Sequence, residues 1–572
     1  MSFPDGAQRS DISLSNGAGI DVTASGGGSI AVNARNLEMT EGSYLFAGIE
    51  GGLASENSKA GNIDINATGA IYLNNESMIA NQVLAGANGQ GGDVNISASS
   101  LWLEGGAQIN AFTLGAGRGG NLTVNASSEV QLIGTSKDGE SSSNLTTSAQ
   151  PNSTGNAGGL NLETPTLLVR DGAQVGAVTF GAGRGGNLNV VAHDIQLIGT
   201  SKDSRFPSGL SVSATRNSTG DAGNLTINTD NLWLEDGAQI TAATFGTGRG
   251  GNLNVVARDI QLSGISNGGL SSGLFTSTQR NSTGDAGGLT ISTDNLLVQD
   301  GATVGVQSLG TGTAGNMRLD ARSIRLDNNA LLTANTQSAL VDSNSEQATI
   351  NINSQNLFMS RNSNIFTNAE GENVIGGNIN INTDFLFAIE NSDISANSEN
   401  FRGGNVRINA SGIFGTQFRQ APDDRTSDIT ASGANPQFSG TVELDVPEID
   451  PNSGLAILPS VPVDTQVARA CTPNSDQNQS EFIVTGRGGL PPNPTEVLSS
   501  DAILIDWVAL QPTTENQSSP TSAANSTAPS PAPIVEATGW EFDRQGKVIL
   551  TASNLPTQSD NSWQSSDGCK LH

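Results

Sequence analysis

Apolar and polar residues alternate at period two along most of this chain, in short runs broken by glycine and Asp-Gly punctuation. One stretch shows the pattern: from Gly223 the chain reads GNLTINTDNLWLEDGAQITAATFGTGRG. Its alternation predicts strands over 224–228, Asn231–Glu235 and 238–242, with turns at Thr229-Asp230 and Asp236-Gly237. A glycine-rich bend at 245–250 then leads into the next unit. The opening phrase, Gly-Asn-[Leu/Ile]-x-[Val/Ile/Leu], begins at Gly61, Gly120, Gly186, Gly223, Gly251, Gly315, Gly377 and Gly404. Looser copies begin at Gly28, Gly92, Gly158, Gly287, Gln347 and Gly440. Short and long units alternate between Gly120 and Gly315, giving a super-repeat of about 65 residues. The long units keep three strands and add loops: from Gly251 the third strand is expected at 273–277, followed by RNSTGDAG. No capped helix is expected in residues 1–445.

Three strands per unit of roughly 30 residues, stacked in one direction, predict an all-β parallel β-helix of about thirteen coils. At about 4.8 Å per coil, such a rod is on the order of 60 Å long. The apolar members of each strand would fill a narrow core, with Ala126, Ala192 and Ala257 where the coil turns a corner. Asn62, Asn121, Asn187, Asn224, Asn252 and Asn316 hold one equivalent position and are expected to form an inward amide ladder. A β-meander barrel or sandwich would need hairpin turns of about two to five residues, and the long period argues against it. Periodicity stops near residue 445. Residues 446–510 read as a Pro-rich extended region, 511–533 as a flexible linker and 534–572 as a small tail with a hairpin at 540–552.

Composition sharpens this picture. Apolar residues make up 35% of the 572 and charged residues only 14%, which argues for an ordered, turn-rich β protein over a disordered chain. A net charge of −29 repels phosphate backbones and excludes nucleic acid as a partner. It equally opposes adhesion to anionic membranes by charge. No run of 18 apolar residues is present, so no membrane-spanning helix is expected. The start, MSFPDGAQRS, has neither a basic region nor an apolar core of the signal-peptide kind. Two cysteines, Cys471 and Cys569, leave both a single bridge and two free thiols open.

Four glycine clusters invite a nucleotide reading. Residues 115–120, 181–186 and 246–251 satisfy G-x-G-x-x-G, and 310–315 is a looser copy. A phosphate-cradling loop must lead into a helix, whereas each copy here leads into an alternating strand. The glycines are therefore expected at bends between coils, with positive φ and close backbone approach. Arg118, Arg184 and Arg249 would ride on those bends. His193 has Arg258 as its counterpart in the next VVA-x-DIQL copy and reads as a solvent-face histidine. Glu235-Asp236 has the counterparts Arg170-Asp171 and Gln299-Asp300, so Asp171, Asp236 and Asp300 read as turn residues. No singular carboxylate cluster, nucleophile triad or metal-ligand spacing stands out, and no cofactor is expected.

The outward middle position of LWLE carries the remaining candidate face: Trp102, Leu168, Trp233 and Leu297, with Gln131, Gln196 and Gln261 between them. One reading is a ladder that stacks on sugar rings or a partner strand. The other has the long-unit loops folding over these side chains, since an apolar row exposed along a monomer is uncommon.

The repeats GRGGNLTVNA and LWLEDGAQITA, with the tail segment CTPNSDQNQSEFIVTGRGGLPPNPTEVLSSDAILIDW, resemble bacterial filamentous haemagglutinin-like exoproteins of the two-partner secretion pathway. The resemblance covers essentially the whole chain, and its tail motif VTGRGGLPPNPTE is the more specific part. It implies a right-handed β-helix, export through an outer-membrane β-barrel transporter, and a role in adhesion or aggregation at the cell surface or outside the cell. The family's signal peptide and N-terminal secretion domain are not recognisable here, and 1–8 match the middle of a coil. The chain is thus expected to be a truncated or separated C-terminal part whose first coil lacks a cap. The function expected is that of a non-enzymatic adhesin-like exoprotein with a glycan or cell-surface ligand. The alternatives are a matrix component without a specific ligand and a polysaccharide-degrading β-helix enzyme, which would need an acid cluster confined to one or two coils.

Overall fold

The alternation becomes strands where it is expected. A computed structural model describes residues 8–52, 58–336 and 348–447, together with the backbone of Gly539–Phe542 and Val548–Thr551. The described residues are all-β apart from one 3-10 turn, Pro436–Phe438. Each repeat places two segments in a 19-stranded sheet and one strand in a 15-stranded sheet. In the unit from Gly223 these are Leu225–Asn228 and Asn231–Glu235 in the larger sheet and Gln239–Thr244 in the smaller. Elsewhere the first two segments fuse into one bent strand, as in Leu188–Ile198. The phrase starts stand one or two residues before strands of the larger sheet, from Ile30–Ala34 to Thr441–Asp445. Gln347 itself lies outside the described residues.

Pairing within both sheets is parallel, and apart from Thr416–Phe418, which pairs with Ser427–Thr430, strands lie in register with their equivalents one repeat away: Leu188 faces Leu225, which faces Leu253. The meander alternative, which requires hairpin pairing, does not apply. Identical register stacks like on like. Leu122, Leu160, Leu188, Leu225, Leu253 and Leu289 form one interior row, and Val130, Leu167, Ile195, Leu232, Ile260 and Leu296 another. Both rows are buried, each side chain contributing about 1.5–3 kcal/mol relative to exposure. Ala126 and Ala257 are buried at the bend between the two segments of the larger sheet, and Ala192 packs there partly buried.

The asparagine ladder forms, but it faces outward. Asn187, Asn224, Asn252 and Asn316 are exposed, and Asn62 and Asn121 are half-buried. Each side-chain oxygen accepts from a backbone N–H one repeat further on: Asn187 from Asn224 at 2.9 Å, Asn224 from Asn252 at 3.0 Å, Asn252 from Gly288 at 2.8 Å. The physical reason is local. At this bend the next repeat's N–H needs an acceptor that the side chain supplies, and an amide turned inward would spend its polar groups in an apolar core.

The glycine bends are also corrected in part. None of Gly181, Gly183, Gly185 and Gly186 has positive φ. Their requirement is close approach. A Cβ on Gly186 would stand 1.7 Å from the carbonyl oxygen of Gly158, and one on Gly183 would stand 1.9 Å from that of Gly155. The same contact recurs along two glycine columns, including Gly220 over Gly183 and Gly223 over Gly186. A hydroxyl from the preceding strand closes each bend: Thr179 donates to the carbonyl of Gly183 at 2.5 Å and Thr244 to that of Gly248 at 2.6 Å. Positive φ belongs instead to the Asp-Gly turns, with Asp171 at 57° and Gly172 at 90°, and Asp236 at 54° and Gly237 at 91°. Asp300 takes the same conformation, so these aspartates act as turn residues.

In the tail, Gly539–Phe542 pairs antiparallel with Val548–Thr551. Residues 1–7, Cys471, Cys569 and most of 446–538 lie outside the described residues.

Candidate functional site

The larger sheet turns one side chain per repeat outward at the middle of its second segment. Register joins these into a single row running Tyr72, Trp102, Gln131, Leu168, Gln196, Trp233, Gln261 and Leu297. The row continues through Arg325 and Phe358 to Phe387 and Phe414. The four positions singled out in the sequence, Trp102, Leu168, Trp233 and Leu297, are thus brought onto one line, and each is half-buried. In the long-unit loops, Ser136 and Ser201 pack against the turn glycines Gly106 and Gly172, and Arg205 bonds Glu140 of a neighbouring loop at 2.9 Å.

Carboxylates pin the first part of the row. The Trp102 indole N–H donates to Glu129 at 3.1 Å, the Gln131 amide donates to the same carboxylate at 2.7 Å, and the Tyr72 hydroxyl donates to Glu104 at 3.2 Å. Beside Trp233 the equivalent acid, Asp259, is instead occupied by Arg258 and Asn295. The far end is an aromatic block. Phe387 stacks on Phe414 with centroids 4.8 Å apart, Phe358 lies 6.1 Å from Phe387, and Arg325 sits over Phe358 at 5.5 Å. Sequence reasoning stopped at LWLE and missed this continuation. The signal was present in NLFMS, DFLFA and GIFG, which align with LWLE once the repeat is extended past Gly315.

The other candidates resolve into surface structure. His193 lies between Asp194, 3.0 Å away, and Asp230, 3.1 Å away, and is 60% exposed. The Asp194 carboxyl is held below its usual range chiefly by the Asn231 amide, with help from His193. Arg258, the counterpart of His193, bonds Asp259 and Asn231. Arg184 and Arg249 ride on the glycine bends and reach Asp221 and Asp285 at 3.3 and 4.0 Å. Exposed pairs of this kind contribute about 0–1 kcal/mol. Asp327 is buried and accepts from Arg361, Ser360 and Arg325. Arg361 holds it far below the ordinary carboxylate range against the opposing effect of burial. Asp393 moves the other way, raised by burial and by the charges of Asp428 and Asp424. Among the described residues no three His, Cys, Asp or Glu side chains converge as a metal site, and no helix is long and apolar enough to cross a membrane.

Comparison with protein-family models, curated proteins and solved structures finds no match to this chain.

Proposed function

We propose that this chain is the repeat body of a non-enzymatic, adhesin-like exoprotein of the filamentous haemagglutinin type, secreted or held at the cell surface. On this reading it is a right-handed parallel β-helix of about thirteen three-strand coils. The full-length form would leave through the outer-membrane transporter of a two-partner system. The observation that carries the reading is the unbroken outward row from Tyr72 to Phe414, repeated at the strand spacing. A line of aromatic, aliphatic and amide side chains, with Arg325 among them, offers repeated contact to a cell-surface ligand. His193 and the Asp-Gly turns fit the same reading, because their roles recur as ion pairs and turns in equivalent repeats.

The test is binding of the purified chain to cultured cells and to a glycan array. Saturable binding is expected, and replacing Trp102 and Trp233 together by Ala should weaken the binding to cells about tenfold or more, as aromatic anchors do. Unchanged binding in that variant would remove the row from the site. Absence of any saturable binding would favour a matrix component without a specific ligand.

A further inference from the structure

The smaller sheet carries a second surface feature, distinct from the row on the larger sheet. Its outer face is hollowed into a groove of 390 Å³ that crosses the third strands of five successive repeats, Gln174–Thr179 to Thr303–Ser308. Five strands span about 19 Å at 4.8 Å per step. Small side chains make the floor: Ser213, Ala243 and Ser277 lie in one register row, and Ser211 and Thr241 in the next. Phe275 closes the second row, and Phe245, 39% exposed, stands on the rim.

Amides form the teeth of the groove. Gln174, Gly209, Gln239 and Gly273 alternate in register, so a glutamine projects at every second repeat, and the Phe275 ring lies against Gly273. The backbone requires glycine between them, because a Cβ on Gly209 would stand 1.8 Å from the carbonyl oxygen of Gln239. Gln174 and Gln239 donate to the loop carbonyls of Pro207 and Ser271 at 3.3 and 3.2 Å, which positions the amides and leaves their oxygens as acceptors. Gln279 and Gln307 close the far end.

No charged side chain lines this groove, on a chain whose net charge is −29. The floor strands spend their backbone groups on parallel pairing with both neighbours, so no backbone edge is open to an added peptide strand. What remains is a set of hydroxyls and amides, each able to donate and accept, flanked by two aromatic rings. We infer that this groove binds an uncharged oligosaccharide, whose hydroxyls meet the Gln, Ser and Thr side chains and whose apolar ring faces stack on Phe245 and Phe275. An anionic glycan finds no counter-ion there and is repelled by the surrounding charge.

The inference is tested by titrating the full chain with cellohexaose, maltohexaose, mannohexaose and chitohexaose, and with heparin and polygalacturonate fragments as charged probes. Saturable binding of at least one neutral hexasaccharide is expected, and none of the charged probes. Gln239→Ala combined with Phe275→Ala should weaken it about tenfold or more at unchanged melting temperature. Thr241→Lys, which fills the floor, should abolish it. Trp102→Ala with Trp233→Ala should leave it unchanged, which separates this groove from the row on the larger sheet. Failure of all four neutral sugars to saturate, tighter binding of a charged probe, or wild-type binding by the Thr241→Lys variant would each overturn the inference.

Discussion

At the scale of single residues, adjacent glycines carry different duties. Gly158 lies under the glycine column: a Cβ there would stand 1.9 Å from the carbonyl oxygen of Gly120. Gly159 has nothing nearer than 3.6 Å, and an Ala there keeps the N–H that donates to Asn121. Gly158→Ala should therefore cost about 3 kcal/mol or prevent folding, whereas Gly159→Ala should stay within about 1 kcal/mol, read by denaturant unfolding. Equal costs would show that the column tolerates a methyl group. Asp327 supplies a second residue-scale test. Its folded-state pKa is depressed, so its contribution is present above the unfolded carboxylate value near 3.9 and is lost as pH falls below it. Asp327→Asn should cost about 2 kcal/mol at neutral pH, with the difference from wild type shrinking in unfolding curves at about pH 3.

At the scale of elements, the repeat made most of the strands legible. The predicted segment Asn231–Glu235 matches, and the third strand of that unit, expected at 238–242, runs Gln239–Thr244. Strands were readable because the interior takes every second residue and each unit repeats the same instruction. The direction of the asparagine ladder was not readable, since sequence shows an equivalent position without showing which backbone donor lies beside it. Asn224→Ala removes the acceptor for the Asn252 N–H and should destabilise by about 1 kcal/mol. No change in the melting transition would mean that water replaces the amide. The outward row was legible in its alternating Trp, Gln and Leu members. Its half-exposed state was not, because cover by loops depends on where the long-unit insertions pack. The groove of the smaller sheet was missed altogether: its glutamines and glycines occupy different strands far apart in sequence, and only register sets them side by side.

At the scale of the whole molecule, charge governs association. The 55 acidic residues outnumber the 26 basic ones, and the isoelectric point is near 4.2. Mutual repulsion keeps copies apart at neutral pH and vanishes as the carboxylates protonate. Light scattering should therefore rise steeply as the solution is brought to about pH 4, and added salt at neutral pH should raise it far less. Scattering independent of pH would place the control of association in specific contacts.

The sequence by itself determined the all-β class, the repeat, the strand positions and the glycine bends, because alternation and punctuation are local and are restated in every unit. The tertiary structure alone decided what each bend requires, which way the asparagines face, how far the aromatic row extends and where the neutral groove lies. Those properties depend on atoms one repeat away, roughly thirty residues along the chain but only about 4.8 Å across the sheet.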